Sequence, residues 1–250
     1  MNNQETVDAL ESLKLHGMAV EFNSIITLPE QKRPGREMTV AKMIDAERQY
    51  RQERKTAMYL RTSKLRYNNA VIEDVICSTA RNLTEAQLAE YSDCNFVRRA
   101  ENLLVTGLTG CGKSFLVNAL GRQACCLGLR TEYYNMNRFI EQISIAKSDG
   151  SFIKLLNHLN RDDLLILDDF GLAPMTANAR LALLQILEDR YEKKSVIIAS
   201  QLPIDKWYDY IAEPTLADAI MDRIINNANI IQLQGESLRQ MKKKSLLLQK

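Results

Sequence analysis

The sequence predicts an α/β protein: a five-stranded parallel sheet with helices on both faces, preceded by a small all-α N-terminal domain. Three observations carry that expectation. From about residue 99 onward, short apolar runs alternate with helical stretches, as in a parallel sheet whose crossovers are helices. One run, Leu103-Leu104-Val105, leads into Gly107-Leu108-Thr109-Gly110-Cys111-Gly112-Lys113-Ser114, which fits G-x-x-x-x-G-K-[ST] at every fixed position. Upstream, Arg36 to Thr106 holds neither glycine nor proline, a helical signature.

Composition narrows the class. The chain has 250 residues, 46% of them hydrophobic, enough for one large domain or two modest ones with a sizeable core. A formal charge of +2 excludes a simple polycation. Five scattered cysteines do not suggest a disulfide framework. His16 and His158 are far apart with no cysteine at ligand spacing, which argues against a zinc centre or a His-based triad. The opening Met1-Asn2-Asn3-Gln4-Glu5 lacks the basic and apolar regions of a signal peptide, and no run of 18 apolar residues exists. A cytoplasmic protein without a membrane span is expected.

The elements follow in order. Residues 6–27 read as helical, and Pro29 to Gly35 is a break. A long helix is expected from Thr39 to about Tyr67, with Val40, Met43, Ile44, Met58, Leu60 and Leu65 at helical spacing. Its about 29 residues would span roughly 43 Å. Residues 1–75 are assigned to the helical N-terminal domain and 76–98 to a connecting helix and linker. In that linker Thr84-x-x-Gln87 is a capping box. Residues 99–250 form the α/β domain, with strands expected at 102–106, 131–135, 164–168, 195–200 and 229–233. Helices fill the gaps. Asn137 to Asn160 reads as two short helices broken at Ser148-Asp149-Gly150.

The glycine-rich octapeptide names a ligand, the triphosphate of a nucleotide. Glycines let successive N–H groups face one anion, and the following helix, opening with Phe115-Leu116-Val117, adds its positive N-terminal end. Contacts to ATP are expected from Gly107, Thr109, Gly110, Cys111, Gly112, Lys113, Ser114 and Phe115. Lys113 would reach the β/γ-phosphates, and the Ser114 hydroxyl would bind Mg²⁺. Ligands of parallel sheets bind at the carboxyl ends of strands, where this loop lies. A second motif, Leu164-Leu165-Ile166-Leu167-Asp168-Asp169, is a buried strand ending in two acids. Asp168 would hold Mg²⁺ and Asp169 would orient or deprotonate the attacking water. The run Ser195–Ala199 ends in Ser200-Gln201. A polar side chain there touches the γ-phosphate or its water, or the pair simply opens the loop before Pro203.

Charge is uneven. Residues 31–66 carry eleven Lys/Arg against four acids, a net +7, whereas the first 30 carry −4 and the last 12 carry +5. A basic helix is a track for DNA phosphates, and a solvated helix face has the same composition. The candidate DNA contacts on this helix are Arg48, Arg51, Arg54, Lys55 and Arg61. Phosphate contacts give affinity without base readout, so sequence-independent binding with a log–log salt slope of about −5 for six contacts is expected.

The set Gly107–Ser114, Asp168-Asp169-Phe170-Gly171, Ser200-Gln201-Leu202-Pro203 and Ala219-Ile220-Met221-Asp222-Arg223-Ile224 resembles the IstB-type transposition helper ATPases of bacterial insertion sequences. These are relatives of the DnaC-type helicase loaders in the AAA+ superfamily. The resemblance spans nearly the whole chain, including Leu13 to Met18. It implies an AAA+ P-loop NTPase core that hydrolyses ATP, with Gln201 at the sensor position, where many relatives carry Asn. It implies that Arg223 is an arginine finger for the site of a neighbouring copy. Read from chemistry alone, Arg223 is a basic residue near a helix end. Arg239 sits where a second sensor arginine would lie, and a reduced or absent C-terminal lid is expected, which argues against that role. The implied partners are duplex DNA, the transposase of the same element and further copies of the chain in an ATP-dependent homo-oligomer. Initiator and loader ATPases carry an extra helix between the second and third strands that lines the ring, so the resemblance adds Arg138, Lys147 and Lys154 as candidate DNA contacts, and an ordinary crossover helix pair is the plainer reading. A helicase loader that binds single-stranded DNA is the alternative reading. A small-molecule kinase would need an acceptor pocket and a lid.

Overall fold

The computed structural model describes residues 2–238 and 240. The chain divides into two compact units, Met1–Met58 and Tyr59–Lys250. Helices α1 (Asn3–Ser12), α2 (His16–Thr27) and α3 (Arg36–Thr62) come first. Asn2 and Glu5 close a capping box at the start of α1. The expected helix over 6–27 is split, because Lys14 adopts a left-handed φ of 60° and the Leu15 N–H turns back to the Leu10 carbonyl. The split lets α2 approach α3 at Gly17, where a Cβ would lie 2.4 Å from the Ala46 carbonyl oxygen. Glu47 of α3 then caps α2, accepting the N–H groups of Gly17 and Met18 at 2.8 and 3.3 Å.

Helix α3 ends at Thr62, short of the expected Tyr67. Nothing local stops it. Ser63 is fully buried, its carbonyl accepts the Tyr133 N–H at 2.8 Å, and Lys64 turns left-handed at φ 57°. The Tyr67 N–H then donates to Asn118 Oδ1 at 3.2 Å. Tertiary hydrogen bonds thus replace the last helical turn.

The second unit continues with α4 (Glu85–Ser92), α5 (Asn95–Arg98), β1 (Asn102–Gly107), α6 (Lys113–Cys126), β2 (Thr131–Asn135), α7 (Met136–Ser148), α8 (Phe152–Leu159), β3 (Leu164–Phe170), α9 (Ala177–Arg190), β4 (Ser195–Ser200), α10 (Trp207–Ile211), α11 (Pro214–Ile225) and β5 (Ala228–Leu233). The Thr84–Gln87 capping box opens α4. The five strands lie within two residues of the expected spans. All pairings are parallel, in the order β2-β3-β4-β1-β5.

Side chains alternate between two cores. Leu103, Val105, Ile166 and Ile197 face a core shared with Leu116 and Leu120 of α6. Leu104, Leu165, Leu167 and Ile198 face the other, shared with Phe139, Leu183, Ile220 and Trp207. Burial on both faces explains why these strands read as continuous apolar runs. Among the described residues no helix is long and apolar enough to cross a membrane.

The strand order fixes where chemistry can occur. Strand β4 lies between β1 and β3, so the carboxyl ends of all three are neighbours. Thr106 pairs with Ser200, and Ser200 with Phe170. The β3 register shifts between Leu167 and Phe170, a bulge that contains Asp168 and Asp169.

Candidate functional site

The phosphate loop turns at the end of β1 through Gly110 and Gly112, at φ 85° and 95°, a conformation that favours glycine. A Cβ on Gly110 would meet Ser237 Oγ at 2.2 Å. Gly112 leads into α6 without a side-chain cap, so the first amides of the helix remain available to an anion. The Lys113 ammonium is buried and donates to the carbonyls of Gly107 and Leu108 at 2.7 and 2.9 Å. It is therefore stored inside its own loop. Cys111 is also buried, with its carbonyl accepting from Arg81 Nη2.

The two acids have different surroundings. Asp168 is fully buried; its Oδ2 accepts the Tyr133 hydroxyl at 2.8 Å and its Oδ1 accepts the Asp169 N–H at 2.9 Å. Burial, then the Asp168 charge, pushes the Tyr133 phenol well above its ordinary value, so it stays a donor. Asp169 is left-handed at φ 61°, a cost the bulge imposes to aim it away from the strand. Its Oδ2 accepts Asn135 Nδ2 at 2.7 Å, and Arg66 Nη1 stands 3.7 Å away. Ser114 and Asp168 offer hydroxyl and carboxylate oxygens, the hard donor set that Mg²⁺ takes. Glycine turns, uncapped helix amides and Lys113 fit a triphosphate.

Ser200 and Gln201 divide the two readings of their motif. Ser200 Oγ is turned inward, donating to the Phe170 carbonyl at 2.7 Å and accepting the Leu202 N–H at 3.0 Å, which shapes the loop before Pro203. Gln201 Oε1 instead accepts the Thr109 hydroxyl at 2.6 Å, so this side chain touches the phosphate loop.

Arg223 lies elsewhere. The Asn102 side chain, at the start of β1, donates to the carbonyls of Arg223 and Ile224, both at 3.1 Å. The loop begins at the other end of that strand, roughly 17 Å away at about 3.3 Å per residue. Arg223 pairs with Glu188 at 2.8 Å and with Asp222, and stacks over the Tyr191 ring at 5.2 Å. The hydrogen bond to Glu188 holds its pKa above the ordinary value.

The basic candidates lie on three separate helices. At about 100° per residue Arg48, Arg51 and Lys55 share a 60° arc of α3, with Arg54 and Arg61 further round. Arg51 also holds Glu47 at 2.6 Å. Burial raises the Glu47 pKa, but Arg51 and the two α2 amides outweigh it and hold the group below its ordinary value. Arg138 opens α7 whereas Lys147 ends it, donating to the Asn178 carbonyl at 3.1 Å. Lys154 is exposed on α8.

Several functional neighbours were missed in the sequence. Tyr133 and Asn135 face the acids from β2; the carboxyl-end rule points at Asn135 but not at its partner. Arg66 and Arg81 reach their partners across long sequence separations and carry no local signal. The segment after β5 also touches the loop: the Leu238 N–H donates to the Gly110 carbonyl at 3.0 Å, and the Gln234 N–H to the Arg81 carbonyl at 3.0 Å. Arg239 and the basic residues 242–250 lie outside the described residues.

His158 is not isolated in space. Its Nε2 lies 2.9 Å from Glu132, and ligand atoms of Glu132, His158 and Asp162 fall within 4.8 Å of one another. Lys64 at 2.6 Å from Glu132 and Arg130 at 2.8 Å from Asp162 supply the cluster with protein cations.

Comparison with known proteins points one way. The IstB-like ATP binding protein family matches residues 8–246. An insertion sequence ATP-binding protein of Sinorhizobium fredii is 40% identical over 94% of this chain and 95% of its own length. The IS1162 ATP-binding protein of Pseudomonas fluorescens is 37% identical over 81% of this chain and 88% of its own. Among solved structures, the DnaC helicase loader aligns at TM-score 0.56 and 19% identity, covering 68% of this chain and 99% of that one. DnaA from Aquifex aeolicus bound to AMPPCP aligns at TM-score 0.56 and 20% identity, covering 72% and 55%. At such identities these two speak for the fold, an AAA+ α/β core.

Proposed function

The chain belongs to the IstB-like ATP-binding protein family, and from that premise we propose that it is an ATP-hydrolysing transposition helper. It oligomerises on duplex DNA and presents that DNA to the transposase of its insertion sequence. The observation that carries this reading is the split of the site. The phosphate loop, Asp168, Asp169 and Gln201 meet at one end of the sheet, while Arg223 stands at the other end of β1.

Arg223 cannot serve its own loop across that distance, so its finger role requires a second copy. Nucleotide bound to one subunit would then be enclosed by the next, and ATP would join subunits. Bound Mg²⁺ would neutralise phosphate charge between Ser114 and Asp168. Lys113 would exchange its two carbonyl partners for β/γ-phosphate oxygens. Asp169 would hold the attacking water, and Gln201, already against Thr109, would sense the γ-phosphate. Arg223 would leave Glu188 and Asp222 for the neighbour's phosphate, a contact worth on the order of 10³–10⁵ in rate in related systems. Basic residues of α3 and the start of α7 would bind DNA phosphates. The insertion-sequence names of the relatives support the transposition setting.

Electron microscopy of the protein with a non-hydrolysable ATP analogue, with and without duplex or single-stranded DNA, tests this. Multi-subunit assemblies that need nucleotide and grow on duplex DNA are expected. A monomer under every condition would refute the proposal, and assembly on single-stranded DNA alone would favour a helicase loader.

A further inference from the structure

Arg81 is a buried cation, 8% exposed, that comes well before the phosphate loop in sequence and meets it in space. Its backbone is fixed to the β5 side of the sheet. The Gln234 N–H donates to the Arg81 carbonyl at 3.0 Å, and Asn82 Nδ2 donates to the Gln232 carbonyl at 2.9 Å. From that anchor the side chain reaches the loop, where Nη2 donates to the Cys111 carbonyl. A Cβ on Gly112 would lie 3.0 Å from the same Nη2, so the guanidinium packs directly on this peptide. Among the described residues no acid pairs with Arg81, and its Nε is buried without a hydrogen-bond partner. A buried guanidinium without a carboxylate is costly, and an anion close by would offset that cost.

The hydrogen bond has a directional consequence. The Cys111–Gly112 peptide is trans, so its C=O and N–H point in opposite directions. With the carbonyl drawn to Arg81, the Gly112 N–H points away from Arg81. That N–H makes no hydrogen bond among the described residues, and it adjoins the uncapped start of α6. The preceding peptide is arranged otherwise. Its Gly110 carbonyl takes the Leu238 N–H at 3.0 Å, and its Cys111 N–H turns to the Leu108 carbonyl at 3.3 Å. Gly112 is therefore the loop amide whose direction depends on Arg81. We propose that Arg81 sets the phosphate seat from behind: it holds the Cys111–Gly112 peptide with its N–H toward the phosphates of the nucleotide, and it adds a positive charge that those phosphates offset. Arg81 is a positioning residue, acting through the peptide without touching the phosphate. The inference rests on the reading of Gly107–Ser114 as a loop that binds nucleotide phosphates.

The test uses the full chain labelled with carbon-13 at cysteine carbonyls and nitrogen-15 at glycine. Cys111-Gly112 is the sole Cys-Gly pair in the sequence, so the Gly112 amide is read alone by NMR. In wild type its proton resonance should move downfield when ATP or inorganic tripolyphosphate is added. Arg81→Met should show less than half that movement at saturation and bind both ligands about tenfold more weakly, the scale of one charge-assisted hydrogen bond. Arg81→Lys, which keeps the charge and a donor, should recover most of both. Circular dichroism checks that each variant is folded. Should Arg81→Met fail that check, Arg81→Gln, which keeps a neutral donor, replaces it with a smaller loss in the same direction. The wild-type Gly112 movement and affinity in the uncharged variant overturn the inference. So does a loss confined to ATP with tripolyphosphate binding unchanged, which assigns Arg81 to the base. Failure of wild type to bind either ligand would instead sink the reading of the loop itself.

Discussion

In the proposed mechanism Lys113 and Asp169 have separable jobs. Lys113 is a buried ammonium stored on two loop carbonyls, so Lys113→Ala should weaken nucleotide binding directly. Asp169 sits off the strand on a bulge, held by Asn135, so Asp169→Asn should bind ATP as wild type does and lose hydrolysis by about 10²-fold or more. Titration with a fluorescent ATP analogue beside a turnover assay checks both, and equal loss of binding in the two variants contradicts the division. The positions of motif residues such as these are legible because the pattern is tied to spacing: glycines for the turn, lysine after them, acids after a buried strand. Tyr133, Arg66 and Arg81 were not. Each acts on a residue 30 or more positions away, and only the folded sheet brings the two together.

At the scale of elements, strands were read to within two residues because burial on both faces makes them unbroken apolar runs. Helix ends were read less well. Ser63 and Lys64 leave α3 to bond to β2, and no glycine or proline marks the place. The amino-terminal part of β2 carries a pH-sensitive contact. Burial, then Glu132, pushes the Asp162 carboxyl up to about 7, against Arg130 and Arg190. Burial also opposes the Glu132 charge, but Lys64 and His158 outweigh it and keep Glu132 ionised. The folded protein therefore keeps a proton on Asp162 that the unfolded chain releases near pH 4. Stability from this group is complete below that pH and is lost as pH rises through about 7. Thermal melts from pH 5 to 8 should show wild-type Tm falling, and Asp162→Asn should remove most of that slope. An equal slope in the variant contradicts the assignment.

At the scale of the whole molecule, the proposed site is one that a second copy would complete. The strand order gathers the phosphate loop, two acids and Gln201 at the carboxyl end of the sheet, and sends Arg223 to the opposite end. Sequence reasoning could place each motif on its element, but not the distance between Arg223 and its own loop, which is a property of the assembled sheet. If Arg223 is the finger proposed above, that distance would make the oligomer a requirement of catalysis rather than an addition to it. Mixing two inactive variants is the most direct measurement. Asp169→Asn supplies an intact Arg223, and Arg223→Ala supplies an intact loop and acids. Each should hydrolyse ATP poorly alone, and an equal mixture on duplex DNA should recover about a quarter of wild-type turnover, the share of interfaces that random pairing makes whole. Turnover in the mixture no higher than the mean of the two variants would contradict a site shared between subunits.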